Sequence, residues 1–369
     1  MNGELPKYQT LIEWIQKKIE SGEFSAEQRI PTEMELVEKF GYSRQTVRQA
    51  IHSLEQSGMV RRIRGKGTFV RASNYSLRKK NSSIPKIGVL TTYLDDYIFP
   101  GIISGIERIL TQKGYLVTLG VTHNSTMEEA ASLRRMLSDG IDGLIMEGTK
   151  SALPTPNADI LQEIRDAGIP IVFLNGFYGA WNDNYVLMDD VMSCELLTQL
   201  LIRYGHTKIG GIFKSDDMQG IKRYQGFIQA LRNHGKHVCD DSVLWYTTED
   251  CEAYFGGQMD AWIFSRLEQV SAVVCYNDEI AIKLSALMNR MKKRVPEDIS
   301  IVGFDNSPLS APQLYNLTTV SYPAKQIGEI AANMILKALE DSTYREHVKI
   351  EPEIVERGSV FRIESPSAI

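Results

Sequence analysis

The chain has 369 residues, of which 43% are apolar and 24% charged, an ordinary composition for a folded protein. One hydrophobic core seldom serves a chain of this length, so we expect two or three folding units. The absence of an apolar run of about 18 residues and the charged first twenty residues predict a cytoplasmic protein without a membrane span. Four cysteines without CxxC spacing are expected to be buried and reduced.

The net charge of −5 is unevenly distributed along the chain. Residues 1–80 carry 15 Lys and Arg against 9 Asp and Glu, whereas the rest of the chain carries 26 against 37. A basic head on an acidic body is typical of a nucleic-acid-binding module joined to a domain that senses a small molecule.

The first sixty residues carry the signals of three helices. Apolar residues at helical spacing predict a first helix over residues 5–19. Thr32 and Glu35 form a capping box at the start of a second helix. Ser43 can cap a third helix, which Gly58 ends. The short second connection indicates a helix-turn-helix.

A basic hairpin follows the third helix. Residues 59–64 and 68–70 are expected to form two strands, joined by Gly65-Lys66-Gly67. This arrangement predicts a wing beside the helix-turn-helix.

Arg44 and Arg48 are the candidate base-reading side chains. They lie one turn apart on the third helix, so they leave the same face, which Gln45 partly shares. Arg can pair bidentately with guanine and Gln with adenine in the major groove. A solvated helix face is the alternative, but the basic wing at the adjacent position favours DNA binding.

These segments closely resemble the headpiece of the gluconate-repressor (GntR) family. The resemblance covers about residues 5–71, including RIPTEMEL at 29–36, FGYSRQTVRQA at 40–50 and GKGTFV at 65–70. It implies a dimer that binds two half-sites of double-stranded operator DNA, with Arg44 and Arg48 on bases or nearby phosphates. The other residues assigned to the DNA-binding surface are Lys7, Glu33, Ser43, Gln45, Thr46, Lys66 and Gly67.

Residues 72–84 lack periodicity and predict a solvated linker between a headpiece at 1–71 and an effector and dimerisation body at 85–369. In the body, short apolar runs alternate with amphipathic helices. Such runs indicate strands buried on both faces of parallel sheets. Two doubly wound lobes and one (β/α)8 barrel both fit this spacing. The runs lie at 87–90, 115–119, 143–146, 171–174, 209–213, 272–275 and 299–303.

Resemblance decides between the two architectures. The segments GIDGLI at 140–145, RYQGF at 223–227, YNDEIA at 276–281, VPEDISIVGFD at 295–305 and LTTV at 317–320 are similar to the effector domain of the lactose-repressor (LacI) family. That resemblance implies an α/β fold of two lobes, like periplasmic sugar-binding proteins, with doubly wound parallel sheets. It further implies a hinge that the chain crosses three times and a ligand between the lobes.

Eight side chains, most of them directly after a predicted strand, form the candidate ligand site. We choose them because open α/β sheets bind ligands beyond the carboxyl ends of their strands. The resemblance places all of them except Asp96 at sugar-contact positions, although related proteins often have Gln where this chain has Tyr322. As alternatives, Asn277 and Asp278 could cap a helix and Asp305 could be a turn residue. The candidates are Asp96, Phe99, Glu147, Asn175, Arg223, Asn277, Asp305 and Tyr322.

The chemistry of this set suggests a neutral sugar. Three carboxylates against one obvious cation, Arg223, would repel an acidic ligand, whereas polar groups beside aromatic rings suit a polyol. The pairing of the two resemblances, with YIFP at 97–100 and CYND at 275–278, is similar to the arabinose-responsive repressors of Gram-positive bacteria. That similarity implies L-arabinose as effector; we expect no cofactor and no metal.

The main alternative is an enzyme that acts on sugars. Asp96 and Glu147 could in principle form a glycosidase pair. The sequence has no P-loop, GxSxG or GxGxxG motif, which favours a protein without catalytic activity. A sugar-transport component would have no use for the basic head. The sign of regulation stays open, since a ligand could release the repressor or act as a co-repressor.

Overall fold

The computed structural model describes residues 6–20, 23–25, 28–56, 59–63, 66–70, 84–94 and 96–363. The predicted linker at 72–84 lies outside this range except for Ile84, as do Arg64 and Gly65 of the wing. The headpiece comprises α1 (Lys7–Glu20), α2 (Glu33–Phe40), α3 (Arg44–Gln56) and the antiparallel strands β1 (Val60–Ile63) and β2 (Gly67–Val70). The predicted winged helix-turn-helix is confirmed.

Local chemistry sets the ends of the headpiece helices. The Glu35 amide donates to Thr32 Oγ1 at 3.2 Å, and the Thr32 amide donates to the Glu35 carboxylate at 2.6 Å, so the capping box is complete. Gly41 ends α2 with φ of 65°, and Ser43 Oγ caps α3 by accepting from the Thr46 amide at 3.1 Å. The core beneath contains Leu11, Ile15, Leu36, Val47, Ala50, Ile51 and Leu54.

The first lobe of the body is a parallel sheet with helices on both faces. Its helices are α4 (Phe99–Gln112), α5 (Thr126–Asp139), α6 (Ala158–Asp166) and α12 (Ala324–Glu340). Its strands are β3 (Lys86–Thr91), β4 (Leu116–Val121), β5 (Gly143–Glu147), β6 (Ile171–Leu174), β7 (Asn184–Met188) and β13 (Glu346–Ile350). The strand order is β13-β7-β6-β5-β3-β4, with all neighbours parallel.

The second lobe repeats this plan. Its helices are α7 (Asp190–Arg203), α8 (Met218–Asn233), α9 (Cys251–Phe255), α10 (Asp260–Leu267) and α11 (Asp278–Arg290). Its strands are β8 (Ile209–Lys214), β9 (Val243–Tyr246), β10 (Ala272–Cys275), β11 (Ser300–Asp305), β12 (Thr318–Ser321) and β14 (Ile354–Val355). The order is β14-β12-β11-β10-β8-β9, and β14 alone runs antiparallel to its neighbour. Two separate open sheets exclude the barrel.

The chain passes between the lobes three times, as the LacI resemblance implies. The crossings lie between β7 and α7, between β12 and α12, and between β13 and β14. All of these strands lie toward one side of their sheets, which is therefore the hinge side. The edge strands β4 and β9 lie farthest from the hinge.

Two expectations about burial are wrong. The run at 115–119 overlaps β4, but Leu116 and Leu119 are 48% and 39% exposed because β4 is an edge strand. Of the four cysteines, Cys239 is exposed and Cys251 is half-buried, since neither lies on a strand or on the core face of a long helix.

A buried carboxylate joins helix and loops in the first lobe. Glu129 on α5 is fully buried and accepts hydrogen bonds from the Tyr178 hydroxyl at 2.9 Å and from Asn157 Nδ2 at 3.2 Å. Burial raises its pKa to about 7, against the lowering effect of these hydrogen bonds. Its ionisation is therefore linked to folding.

We expect the stability of Glu129→Gln relative to wild type to rise between about pH 5 and about pH 8. A carboxyl whose pKa is higher in the folded state contributes stability below its unfolded pKa, and that contribution is lost as the pH rises through the folded pKa. Gln does not titrate, so the difference in unfolding free energy should change by on the order of 2 to 3 kcal/mol. Urea unfolding at both pH values measures it. A pH-independent difference would contradict the shifted ionisation.

Candidate functional site

The exposed face of α3 carries the predicted base-reading residues. Arg44, Gln45 and Arg48 are exposed, whereas Val47 and Ala50 on the same helix are buried. The predicted DNA-facing side chains thus lie on the solvent side of α3, from which a helix can enter a DNA groove.

Glu33 at the start of α2 links this face to the wing. Its carboxylate accepts from Arg48 Nε at 2.8 Å and lies 3.5 Å from Arg62 Nη2 on β1. The hydrogen bond to Glu33 raises the pKa of Arg48. Glu33 therefore restrains the direction of Arg48, and the arginine stays charged.

The remaining predicted DNA-surface residues lie around the same helix. Ser43 and Thr46 share a hydrogen bond of 2.8 Å between their hydroxyls at the start of α3. Lys7 on α1 has its ammonium group 5.9 Å from the ring centre of Tyr42. Lys66 is exposed at the described end of the wing. At Gly67, with φ of 122°, an added Cβ would lie 2.6 Å from Arg29 Nε, so this position requires glycine.

A cleft of about 700 Å³ lies between the lobes at the carboxyl ends of their strands. Of the eight predicted ligand residues, Asn175 and Tyr322 are missing from its wall and lie directly behind it, where Tyr322 borders a small adjoining cavity. The predicted residues that line the cleft are Asp96, Phe99, Glu147, Arg223, Asn277 and Asp305.

Arg223 on α8 is the centre of a buried charge network. Its Nε donates to Asp190 Oδ1 at 2.9 Å, Nη1 donates to the Tyr276 carbonyl, and Nη2 lies 3.7 Å from Asp305 Oδ1. The guanidinium stacks on Phe304 with 4.4 Å to the ring centre. Burial opposes its charge, but Asp190 and Asp305 outweigh that effect and raise the pKa of Arg223. Asp305 is thereby placed beside a fixed cation.

Glu147 ends β5 and begins a second network. It accepts from the Thr92 backbone amide at 3.2 Å, from the Thr92 hydroxyl, and from Asn175 Nδ2 at 2.8 Å. Asn175 Oδ1 in turn accepts from the Tyr322 hydroxyl at 2.5 Å. Burial raises the pKa of Glu147 to about 7, opposed by the bonds from Thr92 and Asn175. Tyr322 supports Glu147 from behind the cleft, because its hydroxyl bonds to Asn175.

The neighbouring residues Asn277 and Asp278 differ in whether they reach the cleft. Asn277 Oδ1 accepts from the Ile280 amide at 3.0 Å and caps α11, as in the alternative interpretation, while the residue also lines the cleft. Asp278 is fully buried, where it accepts from the Ser307 amide at 2.7 Å and from the Thr319 hydroxyl at 2.6 Å. It holds the loop after β11 and does not reach the cleft.

The expectation of a single cation is wrong, because Lys214 and Lys283 also line the cleft. Lys214 Nζ lies 2.6 Å from Asp217 Oδ2, and Lys283 Nζ lies 2.7 Å from Glu279 Oε1. Lys214 directly follows the run at 209–213. The rule that ligands bind beyond the carboxyl ends of the strands, here called the strand-end rule, could therefore have found it. All three cations have carboxylate partners, and paired donors and acceptors still suit sugar hydroxyls.

Aromatic rings complete the cleft. Tyr93, Tyr97, Phe99, Tyr246 and Tyr276 line it. The Tyr97 hydroxyl of the first lobe donates to Asp305 Oδ2 of the second lobe at 2.7 Å. Apolar ring faces beside polar groups match the alternating C–H and O–H surface of a sugar.

Within the described ranges, no group of three or more His, Cys, Asp or Glu side chains could hold a metal ion. No helix among those residues has the length and apolarity to cross a membrane.

Two family models match the two parts of the chain. Residues 7–70 match the bacterial regulatory proteins of the gntR family, and residues 198–360 match a periplasmic binding protein-like domain. Among solved structures, the lac repressor dimer bound to operator and the anti-inducer ONPF has a TM-score of 0.65 at 18% identity. That match covers 76% of this chain and 95% of the lac repressor chain, and it supports the fold.

Two relatives match the chain over nearly its whole length. The arabinose metabolism transcriptional repressor of Geobacillus stearothermophilus is 38% identical over 97% of this chain and 99% of that protein. The protein of the same name from Halalkalibacterium halodurans is 36% identical over 98% and 99%. The chain therefore belongs to the family of arabinose metabolism transcriptional repressors, which here joins a GntR-type headpiece to a two-lobed periplasmic-binding-protein-like body.

Proposed function

We propose that this repressor binds operator DNA as a homodimer in the cytoplasm and leaves it when L-arabinose fills the cleft. The observation that carries the proposal is the set of two buried cations, Arg223 and Lys214, with the half-buried carboxylates of Asp305 and Asp217. This set offers paired donors and acceptors beside aromatic rings. Adjacent hydroxyls of a neutral monosaccharide require this combination. The names of the two close relatives support arabinose as the sugar.

Each predicted domain would have its own role. Residues 1–71 would read the operator through Arg44 and Arg48, residues 72–84 would tether the headpieces, and residues 85–369 would bind sugar and dimerise. The exposed arginine face on α3 supports the first role, and the cleft between the lobes supports the last.

The engagement of the cleft carboxylates favours binding over catalysis. Glu147 accepts hydrogen bonds from Thr92 and Asn175, and Asp305 lies beside Arg223 and Tyr97. Carboxylates held in this way act as fixed acceptors for a ligand. A hydrolysis assay of purified protein with arabinosides tests the enzymatic alternative, and turnover would contradict our proposal.

Saturating L-arabinose should weaken operator affinity by about 5- to 150-fold, and operator should weaken sugar affinity by the same factor. Both ligands act on one dimer geometry, so their binding free energies are linked. Fluorescence anisotropy with labelled operator measures the effect, with a sugar phosphate as the control ligand. Unchanged operator affinity would contradict arabinose as effector. Tighter binding would make the sugar a co-repressor.

A further inference from the structure

The two lobes meet through a buried amide at the edge farthest from the hinge. Asn124 follows β4 and Thr248 follows β9, the two edge strands opposite the hinge. Asn124 Nδ2 donates to Thr248 Oγ1 at 2.6 Å and to Asp217 Oδ1 at 3.1 Å, both in the second lobe. Its Oδ1 accepts from the Lys150 amide of its own lobe at 2.7 Å. We name this group of four residues the mouth contact.

The side chain of Asn124 has no spare donor hydrogen for other partners. Both amide hydrogens and the carbonyl oxygen are used, and the residue is 1% exposed. Opening the lobes separates β4 from β9 more than any strands nearer the hinge. The hydrogen bonds of the mouth contact are therefore among the first interlobe bonds that opening must break.

Asp217 connects the mouth contact to the cleft. Its Oδ2 accepts from Lys214 Nζ at 2.6 Å and from the Tyr276 hydroxyl at 3.2 Å, and all three residues line the cleft. Its Oδ1 accepts from Asn124 across the lobe boundary. One oxygen of the Asp217 carboxylate therefore contacts side chains that line the cleft. The other oxygen accepts the hydrogen bond that joins the two lobes.

We propose that Asn124 is a positioning residue through which an occupied cleft holds the two lobes closed. This inference rests on the proposed function, and it adds a residue that does not line the cleft. A sugar hydroxyl bound by Lys214 and Asp217 fixes the direction of the Asp217 carboxylate, and that carboxylate aligns Asn124 for Thr248. Besides Asp217 and Lys150, the titratable or charged groups that face this contact are Tyr93, Glu147, Lys214, Asp216, Glu249 and Tyr276.

Calorimetric titration of the full-length Asn124→Ala variant with L-arabinose tests the proposal. We expect the Kd for sugar to rise about tenfold to a hundredfold, because Asp217 and Thr248 lose a buried donor. Operator affinity without sugar should match wild type. Glu249→Ala is the matched control, since this 65% exposed side chain pairs with Lys150 at the same edge. It should change the Kd by less than about threefold.

The pH dependence of sugar binding by Asn124→Asp distinguishes a positioning role from a purely structural one. A purely structural role would give an effect that does not change with pH. At about pH 8 the introduced carboxylate faces Asp217 and should weaken sugar binding more than Asn124→Ala does, through like-charge repulsion. The ratio of the Kd of Asn124→Asp to that of wild type should fall toward about pH 5.5, as the introduced aspartate takes up a proton. The ratio for Asn124→Ala should stay constant. Both variants binding sugar like wild type at every pH would overturn the proposal.

Small-angle X-ray scattering of the free protein separates this inference from the proposed function. The repulsion in Asn124→Asp should increase the radius of gyration at about pH 8, whatever sugar the wild type binds. A wild type that does not bind arabinose would contradict the effector, whereas identical scattering of variant and wild type would overturn the role of Asn124.

Discussion

Arg44→Ala and Arg48→Ala will each abolish specific operator binding and leave sugar binding unchanged. Both side chains project from the exposed face of α3, where bidentate pairing with guanine is possible. Losing one such contact weakens each half-site by about tenfold to a hundredfold, and a dimer loses it twice. The cleft lies in the body, so its chemistry is untouched.

Anisotropy with labelled operator at about 150 mM salt measures the loss, because lower salt would strengthen non-specific binding to the phosphates. Arg232→Ala is the control, since it removes the same charge from an exposed position on α8. Glu33→Gln should give an intermediate loss, because it keeps an acceptor for Arg48 and removes the charge. Either arginine variant protecting operator as well as wild type would refute the recognition-helix assignment.

Arg223→Ala and Asp305→Ala will reduce sugar affinity severely. Removal of Arg223 leaves Asp190 and Asp305 buried without their cation, and breaking a buried pair costs about 3 to 5 kcal/mol. Loss of Asp305 removes a cleft acceptor and the partner of Tyr97 across the lobes. The cost of the broken ion pair falls on folding stability. For sugar binding, the loss of a buried polar partner predicts about a tenfold to hundredfold loss of affinity or more for each variant.

The conservative variants Arg223→Lys and Asp305→Asn separate binding from folding. Lysine keeps the charge but cannot reach both carboxylates and the Tyr276 carbonyl at once. Asparagine keeps the shape and removes the negative charge. Both should fold, bind operator without sugar like wild type, and titrate weakly with L-arabinose in the calorimeter. Unchanged titration curves for both would remove these residues from the site.

The strand-end rule predicted part of the cleft because the strands of the body are apolar and their ends are easy to locate. Glu147 and Asp305 end β5 and β11 and line the cleft for this reason. Asn175 also follows a strand, but its position behind Glu147 depends on how a loop with positive φ turns. The direction of that loop depends on tertiary packing, so it cannot be predicted from the local sequence pattern.

The mouth contact escaped prediction for a related reason. Asn124 lies in a short loop before α5, where a polar residue is usually a turn or cap. Its partners Asp217 and Thr248 are distant in sequence and belong to the other lobe. The strand β9 before Thr248 was missed, since its VLWY segment is short and mixed with polar neighbours. Only the folded arrangement brings these residues together.

We expect the position of Glu33 to affect how the repressor searches a chromosome for its operator. Its carboxylate lies against Arg48 and Arg62, two cations on the predicted DNA-binding side of the headpiece. Affinity for arbitrary DNA grows with the number of phosphates that free cations neutralise. We therefore expect the Glu33 carboxylate to shorten each visit of the repressor to unrelated sequence. At the operator, the same carboxylate would direct Arg48 toward a guanine, so the search would be more selective.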